Sequence, residues 1–368
     1  MPETQITNGE PPTTLSQSQL IWRNFKKHRL AIIAGIVLLI MYFIVMICGF
    51  LAVHDPNTRF SDYTYLAPQK IHFIGKEGLQ RPFVYGIKRS RDPVTFEAIY
   101  KIDKSKKHHL YFFTSGNYSY KLMGIWKTNL KLMTTREGPF FPFGTDKLGR
   151  DVYSRILYGA RLSLTIGLVG VFLSLIIGLI LGGVSGFYGG IIDEIIQRII
   201  EFLLSLPKIP LWMALAAALP ANWSIMRIYF SITIILSSVG WTSLARVVRG
   251  KILALREEEF VLASQACGAS DWHIISRHLI PNFMSYILVS ITLAIPGMIL
   301  GETALSFLGL GLRPPAISWG VLLQDAQNVQ AIADYPWLLL PALFVILAVL
   351  AFNFVGDGLR DAADPYSI

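Results

Sequence analysis

Long apolar runs alternate with short polar ones along this chain, and the run lengths set the first expectation. A helix crossing about 30 Å of hydrocarbon needs about 20 apolar residues. Six stretches qualify: residues 30–53, 162–186, 195–219, 228–247, 283–308 and 337–355. Pro207 and Lys208 interrupt the third, and Pro296 and Glu302 the fifth. Proline is tolerated in a membrane helix where neighbours re-satisfy the freed backbone groups. The expected fold is an all-α polytopic membrane protein with six transmembrane helices. Residues 54–143 break this pattern. Alternation in Pro82–Lys88, Phe96–Ile102 and His109–Thr114, with Gly116-Asn117 as a turn signal, predicts short strands. A small β-rich extracytoplasmic insert therefore follows the first helix.

The organisation that results is a tail and interfacial segment over 1–29, a first helix over 30–53, an insert over 54–145 and a core over 146–368. The core carries five helices and a polar loop at 250–282. Residues 1–19 are polar and rich in Pro, Thr and Ser, and read as a disordered tail. The first apolar run exceeds the roughly 7–15 residues of a signal-peptide core and lacks a small-residue cleavage site, so it is read as a retained span.

Composition agrees. Hydrophobic residues make up 53% and charged residues 15%, against about 25% charged in soluble domains. The net charge of +9 raises nucleic acid as a partner. The basic residues are spread over loops, however, without a basic face interleaved with aromatics, so nucleic acid is set aside. Arg23, Lys26, Lys27 and Arg29 precede the first span and place the N-terminus in the cytoplasm. Parity puts Arg246, Arg249, Lys251, Arg256 and Arg277 on the same side, and Arg360 after the last span agrees. The Lys/Arg-rich insert lies outside, but it exceeds the ~60 residues over which the rule holds. Cys48 and Cys267 fall in different compartments, so no disulfide is expected.

Catalytic patterns are absent from the sequence. Gly144–Asp151 has the glycine spacing of a phosphate loop but ends in Arg150-Asp151, without the phosphate-binding Lys or the magnesium-binding hydroxyl. No His-Glu-x-x-His or Cys-x-x-Cys occurs, and His108-His109 reads as a solvated pair. No catalytic residue and no metal site are assigned. Any mechanical work must draw on another subunit or on an ion gradient.

The most informative stretch is Glu259–Asn282. Residues 256–266 are helix-compatible. Gly268 can stop that helix in the left-handed conformation, Ser270 or Asp271 can cap a second helix over Asp271–Leu279, and Pro281 is expected to end it. Phe260, Ala263 and Cys267 share a face by helical spacing. Ala263, Ser264 and Ala266 are small enough to let a partner surface approach the backbone. The alternative is an ordinary amphipathic loop on the bilayer surface.

Glu259, Phe260, Ala263, Ala266, Gly268, Ala269, Ser270, Asp271, Ile274, Arg277, Pro281 and Asn282 together resemble the "EAA" coupling loop of ABC-importer permeases. The likeness is to the C-type permease subunit of oligopeptide and dipeptide systems. Phe143–Leu164, Leu305–Gly311, Gly356–Ala362 with Asp364-Pro365, and Trp22–Lys27 are similar to the same subfamily. The family's Glu-Ala-Ala reads Leu262-Ala263-Ser264 here, which leaves Glu259 as the candidate for the acidic contact. The resemblance implies a type I importer in the bacterial inner (cytoplasmic) membrane, with both termini in the cytoplasm. A B-type permease would complete a pore for oligopeptides or dipeptides. Two ATP-binding subunits would carry ATP and Mg, leaving this chain without a cofactor and without enzymatic activity. A substrate-binding protein would deliver cargo from outside, and access would alternate by rigid-body motion. Oligosaccharides or metal chelates are the alternative cargo. From other classes, a membrane-anchored receptor would not need the Gly268/Pro281 loop, and an ion-coupled transporter would want several intramembrane carboxylates.

Single polar residues stay open at this level. Glu302 is a functional candidate inside a span, or a carboxylate paired with Arg313 or a partner subunit. Lys208 faces an aqueous pathway or snorkels along a broken helix. Asp193, Arg198 and Glu201 suit pairing along one helix. Asp146, Arg150 and Asp151 read as a loop-ordering charge cluster.

Overall fold

A computed structural model describes residues 17–75, 78–91, 93, 98–220 and 222–363. Most of the expected tail, Phe96 of the second expected strand and the Asp364-Pro365 motif lie outside these residues. A short amphipathic helix, α1 (Gln17–Phe25), leads into α2 (Arg29–Met46). The helix breaks at Ile47 and resumes as α3 (Cys48–Leu51), so the first expected span is divided near its C-terminal end.

The sheet follows. Strands β1 (His72–Gly75), β2 (Gly78–Arg91), β3 (Ala98–Leu122) and β4 (Trp126–Thr135) form an antiparallel meander in sequence order. The two later strands expected from the sequence are one continuous strand of 25 residues. Gly116 is not in a turn. It lies in β3 at an irregularity where five steps along β3, from Ser115 to Tyr120, oppose two along β4. Its role is space: a Cβ there would sit 2.6 Å from Cγ of Lys131. The turn comes later, at Met123-Gly124-Ile125. His108 and His109 are half-buried rather than solvated, with the His109 ring 6.1 Å from that of Phe83.

Lys131 anchors the sheet to the first helix. Its side chain is completely buried, its Nζ donates to the Gly49 carbonyl at 2.7 Å, and it lies 3.5 Å from the Tyr118 ring centroid and 4.4 Å from that of Tyr120. Burial pushes the amine down to about 7, against the opposing attraction of Asp55. Nearby, Asp146 accepts from the Arg150 side chain at 2.7 Å and from the Leu148 and Arg150 amides, which makes it the loop organiser expected of that cluster.

Asp151 caps α4 (Val152–Tyr188) by accepting from the Tyr153 and Ser154 amides. Burial pushes its carboxyl up to about 7. The helix starts ten residues before the expected span, because Val152–Arg161 forms an extension of mixed polarity that docks on the insert: buried Arg155 donates to the Pro56 carbonyl at 3.0 Å. Its 37 residues extend about 55 Å, well beyond the hydrocarbon. Next, α5 (Gly190–Ser205) and α6 (Lys208–Ala217) meet at Pro207 with a bend of 89°. Pro207 cannot extend the hydrogen-bond ladder. Helix α7 (Ile225–Leu255) begins at Ser224, whose hydroxyl accepts from the Arg227 amide.

The tightest seam joins α4 to α7. A Cβ on Gly182 would lie 2.6 Å from the Ala245 carbonyl oxygen, and one on Gly186 2.8 Å from that of Arg249. Gly178, Gly182 and Gly186 repeat at four-residue intervals, which lets backbones meet without intervening side chains. The contacts ascend together, Gly170 beside Ser237, Gly178 beside Leu244 and Gly186 beside Ile252, so the two helices run parallel. Residues 189–224 therefore return the chain from one end of the bundle to the other.

The bundle is completed by three short helices around residues 259–282, by α11 (Met284–Phe307), by α12 (Trp319–Leu323) and α13 (Val329–Asp334), and by the last helix (Leu340–Ala363). Ala31 packs on Gly358 and Gly35 on Val355, so α2 and the last helix are antiparallel. Both described ends of the chain thus reach one face of the bundle, and the sheet sits at the other. Among the described residues, five helices are long and apolar enough to cross a membrane, or six if the bent α5–α6 pair counts as one span.

Candidate coupling and translocation site

The loop after α7 folds by local rules. Helix α8 (Glu259–Ala266) ends with the Gly268 amide on the Gln265 carbonyl and the Ala269 amide on the Ser264 carbonyl, a Schellman closure. Gly268 has φ +79°, the left-handed conformation expected of it. Ser270 caps α9 (Asp271–His273) by accepting from the His273 amide.

Pro281 does not end the second helix. A π-helical turn over Ile274–Leu279 leads directly into α10 (Ile280–Asn282), with Pro281 in its first turn, and the break falls at Phe283. The wider turn sends the Ile280 amide to the Ile275 carbonyl, so the helix accommodates the missing proline N–H instead of stopping. The Asn282 amide donates to the His278 carbonyl at 2.6 Å.

The loop has two faces. Underneath, Val261, Ile274, Ile275 and Leu279 are buried and pack with Val248 and Ile252 of α7 and Phe283 and Ile287 at the start of α11. Ile274 therefore belongs to the foundation of the loop and not to its outer surface. On the other side Glu259, Phe260, Ala263, Ala266, Gly268, Ser270, Asp271 and Arg277 are exposed, Ala269 is half-buried, and Pro281 and Asn282 are exposed at the far end. Leu262 and Trp272, not singled out in the sequence, are exposed by 53% and 58%. Phe260, also exposed, flanks the buried Val261 on the side opposite Leu262, so the loop leaves three large apolar side chains uncovered. Leu262 escaped notice because it was weighed only as a missing glutamate.

A groove starts at this loop. A cavity of about 600 Å³ lies between Asn282, Lys251 and Arg360 and shares Tyr286, Ser290 and Leu293 with a second of about 410 Å³. The second continues past Gly240, Ser243 and Gly297 to Lys208 and Trp212 at the α5–α6 bend. Lys208 thus lies on the groove. Glu302 does not: it is fully buried, with hydrogen bonds from Ser163 at 3.2 Å and Ser306 at 2.8 Å, and the Ser163 hydroxyl also accepts from the Trp319 amide of α12. Arg313 binds the Gly309 carbonyl instead of Glu302. The serines, which no spacing rule links, tie α4, α11 and α12 to one carboxyl group. Asp193 turns from its helical neighbours to Arg249 of α7, leaving Arg198 with Glu201 at 3.0 Å.

Residues 174–366 match the family described as "binding-protein-dependent transport system inner membrane component", and residues 16–68 match the "N-terminal TM domain of oligopeptide transport permease C". Neither match covers residues 69–173, which hold the whole sheet. The chain is 44% identical over 224 residues to the oligopeptide transport system permease protein OppC of Bacillus subtilis, covering 61% of this chain and 71% of that one. It is 39% identical over 251 residues to a putative peptide permease protein of Brucella suis, covering 67% and 81%. Among solved structures, a chain of an inward-facing methionine ABC transporter aligns with a TM-score of 0.43 at 20% identity, over 56% of this chain and 96% of that chain. The family match spans more than half of the sequence and takes in the loop, the groove and the last helix: the chain belongs to the binding-protein-dependent transport system inner membrane components, the multi-pass permease subunits of such transporters.

Proposed function

We propose that this chain is the C-type permease subunit of an ATP-driven importer of oligopeptides or dipeptides, forming half of its pore in the bacterial inner membrane. The observation that carries the reading is the two-faced loop. Its buried aliphatic underside is continuous with α7 and α11, which wall the groove, while its outer face offers Phe260, Leu262 and Trp272 to a partner. Burying each such side chain contributes about 1.5–3 kcal/mol. Two ATP-binding subunits, holding ATP and Mg, dock there. Their closure pushes the loop, and α7 and α11 follow as rigid bodies. The groove is open along one side, which suits completion by a second, B-type permease. Peptide cargo, delivered by an extracytoplasmic binding protein, is supported by the names of the relatives.

Topology supports the same reading. The parallel packing of α4 and α7 favours counting α5–α6 as one broken crossing, for six in all. The loop, both described termini and the basic residues Lys26, Arg29, Lys251 and Arg360 share one face, which the positive-inside rule assigns to the cytoplasm. The insert is then extracytoplasmic. Affinity purification of the tagged chain in mild detergent tests the proposal: an ATP-binding subunit and a second permease should copurify. Protease cleavage within residues 256–282 from the extracytoplasmic side would overturn it.

A further inference from the structure

The sheet does not stand wholly above the membrane. Strand β4 descends alongside the first helix. Thr134 and Thr135 share a cavity with Val53 and His54, Lys131 binds the Gly49 carbonyl, and the β3–β4 turn lies beside Val45 and Met46. That turn also reaches α4 at Arg161 and Thr165, and a Cβ on Gly124 would be 3.8 Å from the Arg161 guanidinium. Arg161 marks the start of the apolar part of α4, and Val45 and Met46 lie within the apolar run 30–53, so the turn reaches the hydrocarbon boundary. From Lys131 to Trp126 the strand covers about 16 Å at about 3.3 Å per residue, in the direction of the bilayer.

The tip has the chemistry for that depth. Ile125 is 72% exposed and Trp126 63% exposed, and Met123 is exposed beside them. They continue the apolar surface that α2 presents through exposed Phe43 and Met46. Lys121 and Lys127 are cross-strand partners one step behind the tip, both exposed. Like charges directly opposite each other repel, and an anion between them removes the penalty. Arg161 adds a third exposed cation. Tryptophan prefers the headgroup level, and lysine extends its charge to phosphate while its stem stays in apolar surroundings.

We infer that the β3–β4 hairpin is a membrane-inserted anchor: Met123, Ile125 and Trp126 enter the outer leaflet while Lys121, Lys127 and Arg161 hold lipid phosphates. The depth assignment needs only the family's membrane spans, and the sidedness proposed above decides only which leaflet is involved.

The test is a nitroxide at Ile125→Cys in the full chain, with exposed Cys267 replaced by Ser and buried Cys48 retained. The protein is placed in nanodiscs of phosphatidylethanolamine and phosphatidylglycerol, with and without its partner subunits. Ile102→Cys, on the distal part of β3, is the aqueous control. Oxygen should collide with the Ile125 label more often than a water-soluble nickel complex does, and the control should show the reverse order. Trp126→Asp should shift the Ile125 label toward the nickel complex. A label at Ile125 that matches the control places the tip in water and overturns the inference. Low accessibility to both reagents that appears only when partner subunits are bound assigns the tip to protein contact and overturns it equally.

Discussion

At one end of the bundle the loop 256–282 stands on aliphatic side chains, and at the other the sheet stands on a buried lysine. The foundation of the loop, Val261, Ile274, Ile275 and Leu279, is non-directional, and each contact is part of a continuous core with α7 and α11. The foundation of the sheet is directional: one ammonium, one carbonyl and two aromatic rings fix where β4 meets the first helix. The first arrangement has no preferred direction and contains no titratable side chain. The second sets a register and responds to protons. The loop, proposed above to relay force, and the sheet thus differ in the kind of interaction beneath them.

The comparison breaks most severely at Gly268. No side chain or backbone lies within 4 Å of a Cβ there, so Gly268→Asp meets no clash within the chain. It meets a strained backbone at φ +79°, costing about 1–2 kcal/mol, and places a charge on the docking face. We expect loss of ATP-binding-subunit copurification and of uptake, with membrane insertion unchanged. Copurification at the wild-type yield would remove the docking role. Next in size is Gly182→Leu, which forces α4 from α7. Overpacking costs about 1–3 kcal/mol, and thermal unfolding in detergent should show a clear fall in Tm together with weakened uptake.

Lys131→Met sharpens the contrast at the sheet. The Gly49 carbonyl loses its donor, a cost of about 1–2 kcal/mol. The pH dependence is the more specific readout. The folded amine titrates near 7 rather than at its ordinary 10.5. Between those values the folded state binds fewer protons than the unfolded chain, so stability rises with pH across that window and is flat below it. Asp55, Cys48 and the rings of Tyr118 and Tyr120 are the groups around it. Melting curves from pH 7 to 9.5 should rise more steeply for the wild type than for the variant. The smallest effect is Ser270→Ala, which removes the cap of α9 for about 1 kcal/mol. It should lower uptake modestly and leave the sheet's pH profile unchanged.

What the sequence disclosed follows the same division. The Gly268 stop and the Ser270 cap depend on a few adjacent residues, so they were legible. The aliphatic runs of α2, α7 and α11 were legible because the bilayer imposes a length. Gly116 was misread as a turn because the reason for it is Lys131, on another strand. Pro281 was misread as a stop because the π-helical turn before it depends on packing against α4 and α7. The buried contacts of Glu302 join three helices through serines far apart in sequence, and local patterns carry no trace of them.

The glycine seam between α4 and α7 has a mechanical consequence. Where Gly182 and Gly186 meet the Ala245 and Arg249 carbonyls, no side chain stands between the two backbones to swing, so the helices are held together there. In the coupling proposed above, thrust that reaches the loop end of α7 is carried to the end of α4 that meets the insert. Adjustment then falls to the 89° elbow at Pro207, within the segment that links the two helices and beside Lys208 on the groove.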